Sequence, residues 1–308
     1  MKLTHAQVVA TDLLLLPGLL YEPDTPSKKL VIWLHGMGDS GVFYKPDKFN
    51  TLGSALTNNG WSLLAFNNRG AYNTKTLKYA DDREQRFQGG TYYELIEDCV
   101  QDIDGAVSFA EKLGYTELVL AGSSTGANKI CVYDYLKQGQ TDFNRYILAD
   151  PGDDSGLFYQ ELGANAFEQI QQSAPKKVAE GKGLETVSPE LSSEPFSWQS
   201  MLDITNPDGL YNSFPFYEAT QQRLGTKTLF LEWSKITTPS LVLLGEEDEY
   251  AADVPGTAEA LELFKEYANP SASHQYMLAS GANHGFKGSE TQLAKHILTY
   301  LGGTNAQE

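Results

Sequence analysis

The chain is poor in sulfur: its 308 residues hold only two cysteines, Cys99 and Cys131. Two thiols make no disulfide framework, and their separation fits no zinc-ligand spacing. Each falls on an apolar helical repeat, where a thiol ordinarily packs as a small hydrophobe. So little cysteine suits a reducing compartment. Histidine is scarce too, with five in all. They are dispersed and form no H-E-x-x-H pair, so no metal site is expected. Long apolar runs are missing: nothing reaches the roughly 18 residues that a membrane-spanning helix needs. Leu13 to Leu16 is interrupted by Pro17 and Gly18, preceded by Asp12 and followed by no small-residue cleavage site, so it does not read as a signal peptide. A cytoplasmic protein is the expectation. Positive charge is in deficit, 23 Lys and Arg against 40 Asp and Glu, for a net charge of −17. Such a surface repels phosphate backbones and anionic lipid, which argues against nucleic-acid partners and a polybasic anchor. A neutral or cationic small molecule fits it better than a polyanion.

What is present is ample core. Apolar residues make up 41% of the chain and aromatics 11%, too much for a disordered polymer. Short apolar runs alternate with longer amphipathic ones, the pattern of strands alternating with helices around a mostly parallel sheet. Val8 to Tyr21, kinked at Pro17-Gly18, reads as an opening pair of strands. Leu30 to Leu34, Trp61 to Phe66, Glu117 to Ala121, Tyr146 to Ala149, Leu241 to Leu244 and Gln275 to Ala279 read as further strands. Helical repeats cover Phe49 to Asn59, Tyr92 to Leu113, Ala127 to Leu136, Thr257 to Tyr267 and Thr291 to Leu301. Ala71 to Gly90 is polar and turn-rich, a surface excursion, and Gly302 to Glu308 is a frayed tail. From 153 to 235 no strand pattern continues the sheet, so this stretch is expected as an insertion into a core made of residues 1–152 and 236–308.

The central motif is Gly122-Ser123-Ser124-Thr125-Gly126, a G-x-S-x-G set between a buried strand and a helix. A nucleophile on so sharp a turn has cramped backbone angles, and its neighbours two positions away on either side must be small. Only Ser124 has glycine at both offsets. The turn lifts its hydroxyl off the sheet to a helix N-terminus, whose dipole favours developing negative charge.

A serine hydroxyl is a weak nucleophile until a base takes its proton. His284, in the Gly/Asn-rich loop between the last strand and last helix, is the candidate base. His35 reads as a loop-packing residue, and His296 lies inside a helical repeat. The acid that orients the imidazole should follow the strand Leu241 to Leu244. Asp248 is the choice there, with Glu247 and Asp150 in reserve. Two backbone N–H groups are needed for the oxyanion, that of Thr125 directly after the serine and that of Met37 in the turn after the third strand. Arg69, in the turn Asn67 to Gly70, is expected to bond nearby carbonyls. Gly36-x-Gly38 lacks the third glycine of a dinucleotide loop, so no nucleotide cofactor is expected.

His35-Gly36, Asn68-Arg69-Gly70, the elbow at Ser124, Gly245-x-x-Asp248 and Asn283-His284-Gly285, in that order, resemble the α/β-hydrolase superfamily. The resemblance implies an eight-stranded, mostly parallel sheet with helices on both faces and a cap inserted after the sixth strand. It also implies a cofactor-free acyl transfer in which Ser124 attacks an ester, an acyl-enzyme forms, and water activated by His284 releases it. The Ser-Ser-Thr-Gly elbow is similar to that of feruloyl-esterase and siderophore-esterase kinds of carboxylesterase. The stretch Met37 to Gly41 resembles acyl-protein thioesterases, which lack so large an insertion. Substrate choice is expected in the cap, where Trp198, Phe214, Phe216 and Tyr217 either line an acyl pocket or seal the cap onto the sheet. Rival readings are a serine peptidase or amidase, for which the cap would hold an amine or peptide end, an acyltransferase, and a catalytically silent binding protein.

Overall fold

In the computed structural model, which describes residues 1–43, 45–251 and 255–302, the chain opens with two antiparallel strands, β1 (Lys2–Val9) and β2 (Leu15–Glu22). They form the expected opening pair, but the reversal lies between them, around Leu13 at φ 72°, and not at Pro17-Gly18. Pro17 and Gly18 sit inside β2 for a steric reason. A Cβ on Gly18 would lie 2.9 Å from the Cβ of Phe66 on the neighbouring strand.

β3 (Lys29–Leu34) follows, then α1 (Pro46–Asn58) and β4 (Ser62–Phe66). β5 (Lys75–Lys78) and β6 (Arg86–Gly89) pair with each other as a separate ribbon, so the expected surface excursion carries regular structure of its own. Next come α2 (Cys99–Lys112), β7 (Glu117–Ser123), α3 (Thr125–Leu136) and β8 (Arg145–Ala149). Three helices then succeed one another without a strand of the sheet, α4 (Asp154–Ala179), α5 (Trp198–Thr205) and α6 (Phe216–Thr220). The sheet resumes with β9 (Ser240–Glu247), α7 (Thr257–Glu266), β10 (His274–Asn283) and α8 (Glu290–Tyr300). Residues 303–308, read from the sequence as a frayed tail, lie outside the described residues.

The main sheet has eight strands in the order β1-β2-β4-β3-β7-β8-β9-β10. β2 runs antiparallel to both its neighbours, and from β4 onward every pair is parallel. Strands buried on both faces explain the continuous apolar runs of the sequence. Leu30, Ile32 and Leu34 face one core with Ile103 and Ala106 of α2, Ile130 of α3 and Phe264 of α7. Val31 and Trp33 face the other, packed on Phe49 and Leu52 of α1 and Leu293 and Ile297 of α8. The chain leaves β3 outward to β4 and later returns to β7 on the opposite side. The strand order therefore switches between β3 and β7, and ligand crevices form at such a point beyond the carboxyl ends of the strands.

Arg69, just past β4, departs from its expected role: carboxylates hold it more than carbonyls do. Its Nε and Nη2 donate to Asp102 Oδ1 of α2 at 3.0 and 2.8 Å, and its backbone N–H donates to Oδ2 at 2.7 Å. Asp12 and Asp98 add ion pairs at 3.0 and 3.4 Å. The two central side chains are only 3% and 1% exposed, so each depends on the other to offset its desolvation. Asp102→Ala is therefore expected to lower the unfolding free energy by about 3–5 kcal/mol, because it strands a buried guanidinium. A urea titration measures this, and a change below roughly 1 kcal/mol, the level of a surface pair, would contradict it.

Candidate active site

Ser124 occupies the single residue between β7 and α3 with φ 56° and ψ −133°, a backbone conformation that costs energy in any residue but glycine. Close packing around it accounts for the flanking glycines. A Cβ on Gly122 would lie 2.3 Å from the carbonyl oxygen of Gly126, and one on Gly126 would lie 2.4 Å from that of Leu34. Gly36 is pressed on the serine itself, where a Cβ would come within 2.8 Å of the Ser124 Cβ. The Ser124 N–H donates to Ala149 O at 3.0 Å, which ties the elbow to the end of β8.

His284 lies at the end of β10, 14% exposed in its side chain. Its Nδ1 stands 3.0 Å from both carboxylate oxygens of Asp248, a side chain 1% exposed. An ionised carboxylate only accepts, so the proton on Nδ1 is the donor and Nε2 is left as the ring's free base. Asp248 Oδ1 also takes the Tyr250 N–H at 2.9 Å, and the Tyr250 ring meets the imidazole edge-on at 4.6 Å. Of the reserve acids, Glu247 is exposed and its carboxylate makes no hydrogen bond or ion pair among the described residues. Asp150 is wholly buried, and it ties β9 to the turn that carries His284. Its Oδ1 accepts the Gly245 N–H at 2.8 Å, and its Oδ2 accepts the Gly285 N–H at 2.7 Å.

Burial raises the Asp150 pKa to about 6, against the pull of the His284 charge and with the push of the Asp248 charge. For His284, burial alone would lower the pKa. The hydrogen bond and charge of Asp248, joined by the charges of Asp150 and Glu249, reverse this and set it above the ordinary 6.5. Asp150, Asp248 and His284 each bring a ligating atom within 4.8 Å of the others, the geometry of a cation site. Those atoms already serve the hydrogen bonds just given, so the cluster is satisfied by the protein's own donors.

Ser124 and His284 open onto one cavity of about 530 Å³, together with the turn Gly36 to Asp39. Met37 lines it, and Thr125, the first residue of α3, directly follows the serine. Among the described residues neither backbone N–H of this pair has a hydrogen-bond partner, the state expected of donors kept for a ligand oxygen. His35 is packed into the loop as expected. Its Nδ1 contacts Gly36 O at 2.9 Å, and burial drives its pKa down to about 3, so it stays neutral. Both cysteines are buried and free, with pKa values pushed up by burial.

The four aromatics singled out for the pocket lie elsewhere. Phe214 and Phe216 are fully buried against Phe264 of α7, Trp198 packs within the same core, and Tyr217 contacts Tyr159. None lines the cavity, and Phe214 and Phe216 contact the core as the sealing reading has it. The apolar wall comes instead from Tyr92, Leu157, Phe158, Phe196 and Tyr250. Asn73 donates to the Tyr92 hydroxyl at 3.0 Å, and that hydroxyl donates to Glu194, so a polar chain closes one rim. Asp154 also lines the cavity. Its place four residues past Asp150, at a strand end that supplies site residues, is the one signal that could have marked it. Tyr92 and Phe158 carried none.

The model of the family described as serine aminopeptidases, S33, matches residues 25–288. Among solved structures, the siderophore hydrolase EstB from Aspergillus fumigatus is 16% identical, with 98% of each chain covered and a TM-score of 0.64. The ferulic-acid complex of Est1E from Butyrivibrio proteoclasticus is 14% identical, with 97% of each chain covered and a TM-score of 0.63. The carboxylesterase CesB from Bacillus subtilis is 16% identical over 99% of this chain and 93% of its own, with a TM-score of 0.55. No curated protein sequence matches. No helix among the described residues is long and apolar enough to cross a membrane.

The electrostatics of the histidine can be read without any substrate. In an NMR titration of the imidazole, His284 is expected to titrate above 6.5, and lower in Asp248→Asn, where only the charges of Asp150 and Glu249 still oppose the effect of burial. Asp150→Asn should lower the value by a smaller step. A His284 midpoint that is indifferent to Asp248→Asn would show that this carboxylate does not govern the ring.

Proposed function

This chain belongs to the α/β-hydrolases, in the family described as serine aminopeptidases, S33, and from that premise we propose that it hydrolyses carboxylic esters through an acyl-enzyme on Ser124. The observation that carries the reading is the shared cavity: a serine on a strained strand-to-helix turn and a histidine held by a buried aspartate open onto the same space. His284 Nε2 takes the Ser124 proton as Oγ attacks the ester carbonyl, and Asp248 stabilises the imidazolium that results. The oxyanion is held by the N–H groups of Met37 and Thr125, at the N-terminus of α3. Protonated His284 then gives its proton to the departing alcohol. A water enters, loses a proton to the same nitrogen and releases the acid, so that no cofactor or metal takes part.

The site is built by residues 1–152 and 236–308, and residues 153–235 act as a cap that shapes the substrate-facing wall through Leu157, Phe158 and Phe196. Several solved structures of similar fold are named as esterases or siderophore hydrolases, which favours esters over amides. The amide reading has the family's description behind it, and comparing a nitrophenyl ester with an aminoacyl nitroanilide separates the two.

Hydrolysis of nitrophenyl esters of increasing acyl length tests the proposal. Ser124→Ala is expected to lower kcat by about 10³-fold or more, and retention of activity in that variant would refute the role given to Ser124. In the intact enzyme kcat/KM should fall as the pH drops through the His284 pKa, since only the neutral ring accepts a proton, and this limb should lie above pH 6.5.

A further inference from the structure

Buried carboxylates in this molecule are consistently supplied with donors. Asp102 takes Arg69, Glu94 takes Lys129, Asp134 takes the Tyr146 hydroxyl and Glu232 takes Lys227. Asp150 and Asp153 each accept two backbone N–H groups. Asp154 breaks the pattern. It is 7% exposed, its Oδ2 is buried with no hydrogen-bond partner among the described residues, and the nearest donor is the hydroxyl of Thr125. Leaving a buried carboxylate unpaired is costly, and a group that carries such a cost is a candidate for pairing with something not of the chain.

Its position says what that something is. Asp154 is the first residue of α4 and lines the cavity that holds Ser124 and His284. The other charged groups around that cavity are mostly acidic: Asp39, Glu161 and Glu194, with Lys45 ion-paired to Asp39 at 2.8 Å. Three aromatic rings stand in the same wall. Phe196 packs on Tyr92 at 4.7 Å and on Phe158 at 5.4 Å between ring centres. A bare carboxylate beside aromatic faces is the environment that suits an organic ammonium, which gains Coulomb attraction from the one and quadrupole attraction from the other.

We propose that Asp154 is the specificity-determining residue of this cavity, binding an alkylammonium group carried by the substrate. Deepening the ester-hydrolase reading on which it rests, this assigns the substrate class as esters that bear a positively charged nitrogen. The charged nitrogen sits on Asp154 with its alkyl groups against Phe158 and Phe196, and the ester carbonyl extends to Ser124. Burial lifts the Asp154 pKa to about 6, held there by the Thr125 hydroxyl and by the charges of His284 and Lys129, so near neutral pH the ionised form is available for the cation.

The test separates binding from turnover. Ser124→Ala protein is titrated calorimetrically with benzyltrimethylammonium and with benzyl alcohol, its uncharged counterpart. The cation is expected to bind about tenfold more tightly or better, and Asp154→Asn in the same background should abolish that preference. Equal binding of the two probes overturns the proposal, as does a preference that survives in a folded Asp154→Asn protein. If circular dichroism shows the aspartate variant unfolded, the comparison of the two probes on the Ser124→Ala protein still decides. Cation binding without hydrolysis of any ester by the intact protein would remove the hydrolytic reading and leave the subsite. Hydrolysis of neutral esters without cation preference would remove the subsite alone.

Discussion

The arrangement depends on a three-way contact of bare backbone. Gly122 packs on the carbonyl of Gly126, Gly126 on that of Leu34, and Gly36 on the Cβ of Ser124. Each contact is closer than any side chain permits, so glycine at these places is a condition of the fold and not a preference. Because the ends of β3 and β7 meet through this contact, the turn that carries Met37 lies beside the turn that carries Ser124. The strain stored in the serine's backbone is held there by the same packing, and it persists because the surrounding sheet over-determines it.

The second half of the site is organised by charge. Asp248 and His284 follow the ends of β9 and β10, whose parallel pairing sets Glu247 opposite Asn283 and so brings the two side chains to one place. Asp150, just past the end of β8, joins β9 to the turn that carries His284 through the backbone N–H groups of Gly245 and Gly285. It also adds negative charge beneath the imidazole, so one buried carboxylate both sets the geometry and biases the proton of the ring.

How much of this could be read in the amino-acid order follows from the range of the forces involved. The elbow, the histidine loop and the strands of the sheet were legible because local sterics and periodic burial write them into short windows. The eight-stranded sheet with helices on both faces emerged as expected. Its opening reversal did not, because Pro17 and Gly18 look like a turn until the neighbouring Phe66 is known. Arg69 was misread for a similar reason, since its carboxylate partners lie far along the chain on α2 and in the turn after β1. The cavity wall was least legible. Phe214 and Phe158 look alike in sequence, and only their tertiary partners decide which one is sealed in a core and which one lines the cavity.

The segment between β8 and β9 divides its labour along its length. Its anchoring rings, Phe214, Phe216, Phe230 and Trp233, meet Phe264 edge-on or tilted and belong to the main core, while the residues that face the cavity come from the first turns of α4 and from Glu194 and Phe196. The residues that seat this segment and those that face the cavity therefore occupy separate stretches of it. Mutational drift can rework the ligand-facing stretch while the aromatic anchor keeps the segment seated. For a scaffold of this kind, that separation is a physical basis for evolvability: new substrate ranges become reachable by a few substitutions without passing through an unfolded ancestor.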